Sequence, residues 1–228
     1  MELGCSTIGF SNLPLKEAVR CISAQRFTDI EIGMWSHGCP HLDLDAPTAD
    51  TVAGCRELLD RHGMRVGALN SAPWVYCADR WDGGQLRAAA DRLLALAGGL
   101  GCALIVNLNE LDDVDDALTR EALFVRGVFR RGRDVYGVPV TVEAPHRGLT
   151  AATVGETLQH RGKDIHDTPG DRDYDWDSLL RFLMQRPRPV YVDEFDGRLA
   201  PGEVAQEFAR ARDRMGQRWA GLQQTSGA

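Results

Sequence analysis

Apolar and polar residues alternate at period two in several short runs, and longer stretches with helical spacing separate these runs. The clearest run is Val138 to Arg147, VPVTVEAPHR. Val138, Val140 and Val142 fall on one face, with Pro139, Thr141 and Glu143 on the other. Gly137 and Pro139 precede the core of the run and Pro145 closes it. Phe27 to Ile32 repeats the pattern, with Ile30 and Ile32 facing one way and Asp29 and Glu31 the other. Leu3 to Phe10, Met64 to Leu69, Cys102 to Val106 and Pro189 to Phe195 read as four further strands, the first broken by Gly9. Between them the spacing predicts helices. One runs from Pro14 to Ala24, with Leu15, Val19 and Ile22 on one face, and one from Thr48 to His62, stopped by Gly63. Asp82 with Gln85 resembles a capping box opening a helix to Ala97, ended by Gly98 and Gly99. Helices are also expected from about Asp116 to Tyr136, from Thr153 and Glu156 to His160, from Trp176 to Met184, and from Pro201 through Trp219.

Strand and helix therefore alternate with short links and no domain break. That order implies parallel strands joined by right-handed crossovers. The expectation is one α/β domain over residues 1–222, with a disordered tail at 223–228. Six strands are legible, whereas a closed eight-stranded barrel typically takes about 250 residues, and this chain has 228.

Composition narrows the class. Apolar residues make up 43% of the chain, which supports a packed core. A net charge of −7 and the lack of a basic stripe argue against a nucleic-acid surface. The six cysteines are widely spaced with no C-x-x-C pair, so reduced thiols and a cytoplasmic setting are expected. The amino terminus lacks a signal pattern, and no apolar run reaches membrane-spanning length.

The candidate chemistry gathers where strands end. An apolar strand that delivers Glu143 and then His146 into a loop is the arrangement α/β enzymes use at the carboxyl end of a sheet. A Glu that merely caps loop backbone is the competing reading. Glu31 on the second strand, and Asn70 and Asn107 at strand ends, are candidates to bind substrate hydroxyls, against the alternative of bonding loop backbone. Trp35, Trp74 and Trp81 lie in loops at the same end, as do His37 and His41. Such tryptophans wall a sugar site or simply pack. Lys163 beside Asp164 either holds an anionic group or forms a surface ion pair.

In their order and spacing these stretches resemble the xylose isomerase-like TIM barrels, the sugar-phosphate isomerase/epimerase superfamily. The matching runs are STIGFSNLPLKEAV, GMWSHGCPHLDLD, RELLDRHGMRVGALNS, GVPVTVEAP, and GKDIHD followed by a helix and PVYVDEF. The resemblance implies a (β/α) barrel, here shortened or incomplete, acting on a small polyol, keto-sugar or related carbonyl compound. It implies proton transfer beside a carbonyl, assisted by a divalent metal such as Mn, Mg, Co or Zn. The family holds its metal with a Glu on the fifth strand, an Asp on the sixth, a His on the seventh and a Glu on the eighth. Glu143 matches the first. Overlaying VTVE at 140–143 on VYVD at 190–193 puts Asp193 in the last position, with Glu194 as the fallback. Glu143 and the Asp193/Glu194 pair are then ligand and base together.

The sixth strand and part of the seventh are missing from this pattern. GETLQHR passes straight to GKDIHD, Arg161 stands where a His is expected, and His160 lies one residue away. His160, His146 or His166 would have to substitute. A naturally shortened barrel, an omitted segment and a lost metal site all account for this. Besides the isomerase or epimerase, two readings stay open: a metal-independent lyase, dehydratase or cyclase, and a non-catalytic partner protein. If the gap is real, a homodimer covering the open edges is expected.

Overall fold

The structure is a computed structural model. It describes residues 2–35, 39–46, 48–78, 82–107, 117–143, 190–193 and 200–226, together with the helical positions Asp177, Leu180, Arg181 and Met184. The strands are β1 (Glu2–Ser6), β2 (Asp29–Trp35), β3 (Cys39–Pro40), β4 (Arg65–Ser71), β5 (Ala103–Asn107), β6 (Val140–Glu143) and β7 (Val190–Asp193). The helices are α1 (Leu15–Ala24), α2 (Thr48–Arg61), α3 (Gly83–Leu100), α4 (Ala117–Arg131) and α5 (Pro201–Ser226). All pairings are parallel except the short β2–β3 hairpin.

The strand order is β6-β5-β4-β2-β1-β7. The last strand thus returns to pair with the first, as in a barrel. β6 and β7 are the two ends of this order, and the chain between them, residues 144–189, lies outside the described residues but for the four helical positions above. The result is a (β/α) barrel wall, with the six expected strands in the expected order.

The register separates the two sides of this wall. Residues paired across parallel strands point the same way, and residues two apart along a strand share a face. One face carries Leu3, Cys5, Ile30, Ile32, Leu69, Leu104, Val106, Val140 and Val142. These residues join one apolar cluster with Val19 and Ile22 of α1, Leu58 and Leu59 of α2, and Leu93 and Leu94 of α3. The opposite, inner face carries Ser6, Glu31, Gly33, Asn70, Ile105, Asn107, Thr141 and position 143. The alternation read from the sequence in β2 and β6 is the one the register shows.

Some boundaries differ from the sequence expectation. The first strand ends at Ser6, because Thr7–Phe10 turn into a 3-10 helix capped by the Ser6 hydroxyl. Asp82 does cap α3, accepting from the backbone N–H groups of Gly84 and Gln85. The helix does not stop at Gly98 and Gly99, however. It runs to Leu100 and ends at Gly101, whose φ of 74° only glycine adopts without strain. Gly99 serves packing instead, since a Cβ there would lie 2.6 Å from a Val52 methyl of α2. The final helix continues through residues 223–226, where a tail was expected. Leu222 joins Leu180, Met215 and Trp219 in a second apolar cluster and carries the buried face of α5 past Trp219. Residues 227 and 228 lie outside the described residues.

All six cysteines are free thiols. Burial pushes Cys55 up to about 11 and Cys102 up to about 12, the latter helped by its neighbour Cys55, so both behave as inert core groups. Among the described residues, no helix is long and apolar enough to cross a membrane.

Candidate functional site

The inner face steps upward around the wall. Ser6 is in register with Glu31, Gly33 with Asn70, Asn70 with Ile105, and Asn107 with position 143. Three of these polar residues form one network. The Ser6 hydroxyl donates to Glu31 Oε1 at 2.9 Å, and the Asn70 side-chain amide donates to the same oxygen at 3.2 Å. Ser6 Oγ in turn accepts from the Ile8 N–H at 3.3 Å, which fixes the direction of its own proton. Glu31 is only 6% exposed and Asn70 2%. A buried carboxylate is costly without donors, and here two strands supply them.

A second network lies at the top of β2. Thr7 Oγ1 accepts from the Gly33 N–H at 2.9 Å and meets His41 Nδ1 at 2.8 Å. His41 Nε2 lies 3.0 Å from the Leu13 carbonyl, so that nitrogen carries a proton. Nδ1 of the neutral ring then accepts the Thr7 hydroxyl, with Cys39 Sγ 3.2 Å away. Burial holds His41 below the usual histidine range, against the opposite pull of the Leu13 and Phe10 carbonyls. This network ties β3 and its loop to the turn after β1. Asp29, at the other end of the inner face, accepts from Thr28 Oγ1 at 3.0 Å and from Arg65 Nη2 at 2.9 Å. It braces the amino-terminal end of the wall.

Position 143 closes β6 beside Asn107, which is half-buried. Glu31, Asn70, Asn107 and position 143 therefore share the inner face, as the strand patterns required. Asp193 is different. It is in register with Cys5, and Cys5 with Ile30, so position 193 belongs to the apolar row and not to the row of Ser6 and Glu31. Two strands of like pattern, VYVD and VTVE, thus meet β1 and β5 one residue out of step. Trp74 is buried in the core cluster and Trp35 packs against it. His37, Trp81, His146, His160, Lys163, His166 and Glu194 lie outside the described residues. Among the described residues, no three His, Cys, Asp or Glu side chains lie together as a metal site would need.

Reading the sequence missed Ser6, Thr7 and Cys39. The signal was the Ser6-Thr7 pair closing an otherwise apolar first strand, where hydroxyls have backbone and strand-end partners to meet.

No protein-family model matches the chain, and no curated protein matches its sequence. Solved structures do match its fold. The zinc-bound IolI protein superposes with a TM-score of 0.64 at 16% identity, covering 95% of this chain and 99% of that one. D-Psicose 3-epimerase of Clostridium cellulolyticum H10, solved with D-tagatose, gives a TM-score of 0.67 at 12% identity, covering 96% and 99%. A xylose isomerase-like TIM barrel/4-hydroxyphenylpyruvate dioxygenase fusion protein gives 0.66 at 17% identity, covering 99% of this chain and 44% of that one. With likenesses of this extent and an inner face lined by strand-end polar residues, the chain has the xylose isomerase-like TIM-barrel fold.

Proposed function

We propose that this protein is an isomerase or epimerase of a small sugar, polyol or related keto compound, moving a proton on a carbon beside a carbonyl. The observation that supports this reading most is the row shared by Asn107 and position 143 at the carboxyl ends of β5 and β6. Active sites of barrel enzymes collect at that end of the wall. The D-psicose 3-epimerase among the structures of like fold supports the same class.

In this reading Glu143 is the base that takes the proton from carbon. A second carboxyl group from the last strand, protonated at the start, delivers its own proton to the neighbouring carbon or to the other face of the same one, so that the two groups exchange protonation states. The register with Cys5 favours Glu194 over Asp193 for that partner, since position 193 belongs to the apolar row. Asn107 and Asn70 hold substrate hydroxyls, with His37, His146 and Lys163 completing the loops. A divalent metal would polarise the carbonyl and stabilise the enediolate charge. Glu143 and His160 are its proposed ligands within this chain. The described residues do not by themselves make a metal centre, and the proton transfer rests on the carboxylates.

The test is carbon–hydrogen exchange. The protein is incubated in D2O with D-fructose, D-psicose or D-tagatose, with Mn, Mg, Co or Zn added in turn, and deuterium beside the carbonyl is read by NMR. Exchange that disappears in Glu143→Gln supports the reading. Exchange undiminished in that variant, or none with any sugar and metal, overturns it.

A further inference from the structure

We infer that Ile8 is a specificity-determining residue. Held over Gly33, and together with Ile105, it gives the inner face an apolar wall for the non-reacting end of the substrate. That wall selects a substrate ending in a methyl group, a terminally deoxy keto-sugar or polyol. The inference rests on the proposed reading and deepens it, since it names the substrate class of that same site.

Ile8 stands where a side chain of β2 would otherwise be. Position 33 shares the inner face with Glu31, and it is a glycine. A Cβ there would lie 2.5 Å from Ile8 Cγ1, 3.4 Å from Ile8 Cδ1 and 3.0 Å from Cys39 Sγ. The Ile8 side chain thus fills inner-face space that the glycine leaves open, although it comes from the 3-10 helix after β1. Its backbone is held at both ends. The Ile8 N–H donates to Ser6 Oγ at 3.3 Å, and the Ile8 carbonyl accepts from the Ser11 N–H at 3.0 Å. The Gly33 N–H donates to Thr7 Oγ1 at 2.9 Å and pins this turn to β2. A β-branched side chain on a held backbone makes a stiff surface.

Burial sets Ile8 apart from its neighbours. Thr7, Gly9 and Phe10 of the same short helix are buried, and Phe10 belongs to the main apolar cluster. Ile8 is half-buried and, among the described residues, is not part of that cluster. Ile105 repeats the pattern on β5. It is in register with Asn70, as Asn70 is with Gly33, and it too is half-buried and outside the cluster. Thr141, the next residue of this row on β6, is exposed. Isoleucines that merely filled the barrel would be closed off as a packed layer. These two keep accessible surface one layer beneath the pair of Asn107 and position 143.

The inner face therefore offers a ligand two different ends. In the order β6-β5-β4-β2, the outer two strands are three spacings apart, about 14 Å along the wall. Side chains reaching inward from both leave room for one small molecule. A carbon chain whose reacting carbon lies at β6 directs its far end toward Ile8. A terminal hydroxyl would exchange water for isoleucine side chains that neither donate nor accept. A methyl group gives up no hydrogen bond and buries apolar surface.

Matched sugars test the inference: D-fructose, D-psicose and D-tagatose, each beside its 6-deoxy counterpart. The kcat/KM of carbon–hydrogen exchange in D2O is measured on the full chain, with Mn, Mg, Co or Zn added in turn. Wild type is expected to favour the deoxy member of a pair by about tenfold. Ile8→Thr places a hydroxyl in nearly the same volume and is expected to shift that ratio about tenfold toward the parent sugar. Ile105→Thr is expected to shift it in the same direction, and carries the test should Ile8→Thr fail to fold by circular dichroism. The ratio is internal to each protein, so a loss of stability alone lowers both rates and leaves it unmoved. A wild type that does not distinguish the members of a pair, or folded variants with the wild-type ratio, overturns the inference and leaves the isomerase reading standing. No exchange by wild type with any of these sugars and metals overturns both.

Discussion

On the β2 side of the inner wall, Ser6, Glu31 and Asn70 are buried and bonded to one another across three strands. On the β6 side, Thr141 is exposed and Asn107 is half-buried. Both sides belong to one continuous inner face, and both carry polar residues at strand ends. The difference lies in who satisfies them. Around β2 the Ser6 hydroxyl and the Asn70 amide NH2 both donate to Glu31, so the protein itself sets the geometry of that carboxylate. Toward β6 the described positions of the inner face are more exposed. The closed side is suited to orienting, and the open side to reacting.

The sharpest way to break this comparison is at position 143. If the open side carries the chemistry, Glu143→Gln lowers the carbon–hydrogen exchange rate at least about a hundredfold, the usual span for losing a general base. Its melting temperature should stay close to that of wild type if the carboxylate serves chemistry and not the fold. A large loss of stability with activity retained would reverse the roles of the two sides.

A packing test comes next. Gly132 lies in the π turn that follows α4, and a Cβ there would sit 2.5 Å from a Val140 methyl and 2.9 Å from the Val138 carbonyl. The backbone contact leaves no side chain to move aside. Gly132→Ala should therefore cost about 2–3 kcal/mol, read as a drop in denaturation midpoint at unchanged slope. Gly33→Ala on the closed side meets side-chain atoms alone, Ile8 Cγ1 at 2.5 Å and Cys39 Sγ at 3.0 Å, and no backbone. Its cost should be nearer about 1 kcal/mol, and trimming Ile8 to Ala in the same protein should recover part of it. Equal costs at the two glycines would mean that the β6 edge repacks as freely as the β2 loop.

What the sequence made legible follows from how far each signal reaches. The parity of Ile30 against Glu31, and of Val140 against Glu143, is a local property of a strand, and the register bears it out. The Asp82 cap is likewise local. Gly98 and Gly99 misled because Gly99 answers to Val52 on another helix, a tertiary demand that looks like a stop signal. The Ser6–Glu31–Asn70 network joins residues 25 and 39 positions apart and has no local signature. The register of position 193 was illegible for the same reason. Alternation tells which residues share a face, and only the pairing with Cys5 tells which face it is.

The closed side also carries a titrating group. His41 is held neutral by burial, so its pKa in the folded protein lies below the unfolded value of 6.5. Between those two values the unfolded chain binds the extra proton. Stability contributed by the neutral ring is therefore present above about pH 6.5, is lost as the pH falls through that value, and levels off below the folded pKa. Chemical denaturation from pH 7.5 down to pH 5 should show this decline in wild type and a shallower one in His41→Gln. Parallel slopes in the two proteins would mean that His41 takes up its proton without disturbing Thr7 or Leu13.

The smallest expected effect lies between the two sides. Arg131 of α4 grips Asp91 of α3 with two hydrogen bonds, Nε to Oδ1 at 2.6 Å and Nη2 to Oδ2 at 2.8 Å. It thus ties the helix behind the open β6 edge to the helix behind β4 and β5. The paired geometry is favourable, but the side chains are 41% and 28% exposed, so water screens most of the attraction. Removing the pair in a double-mutant cycle with Arg131→Ala and Asp91→Ala should give a small coupling that fades in 1 M salt. A coupling several times larger, insensitive to salt, would mean that the two helices depend on this bridge to hold the open edge in place. The division of the wall into a self-sufficient side and a receptive one would then rest on one surface ion pair rather than on the register of its strands.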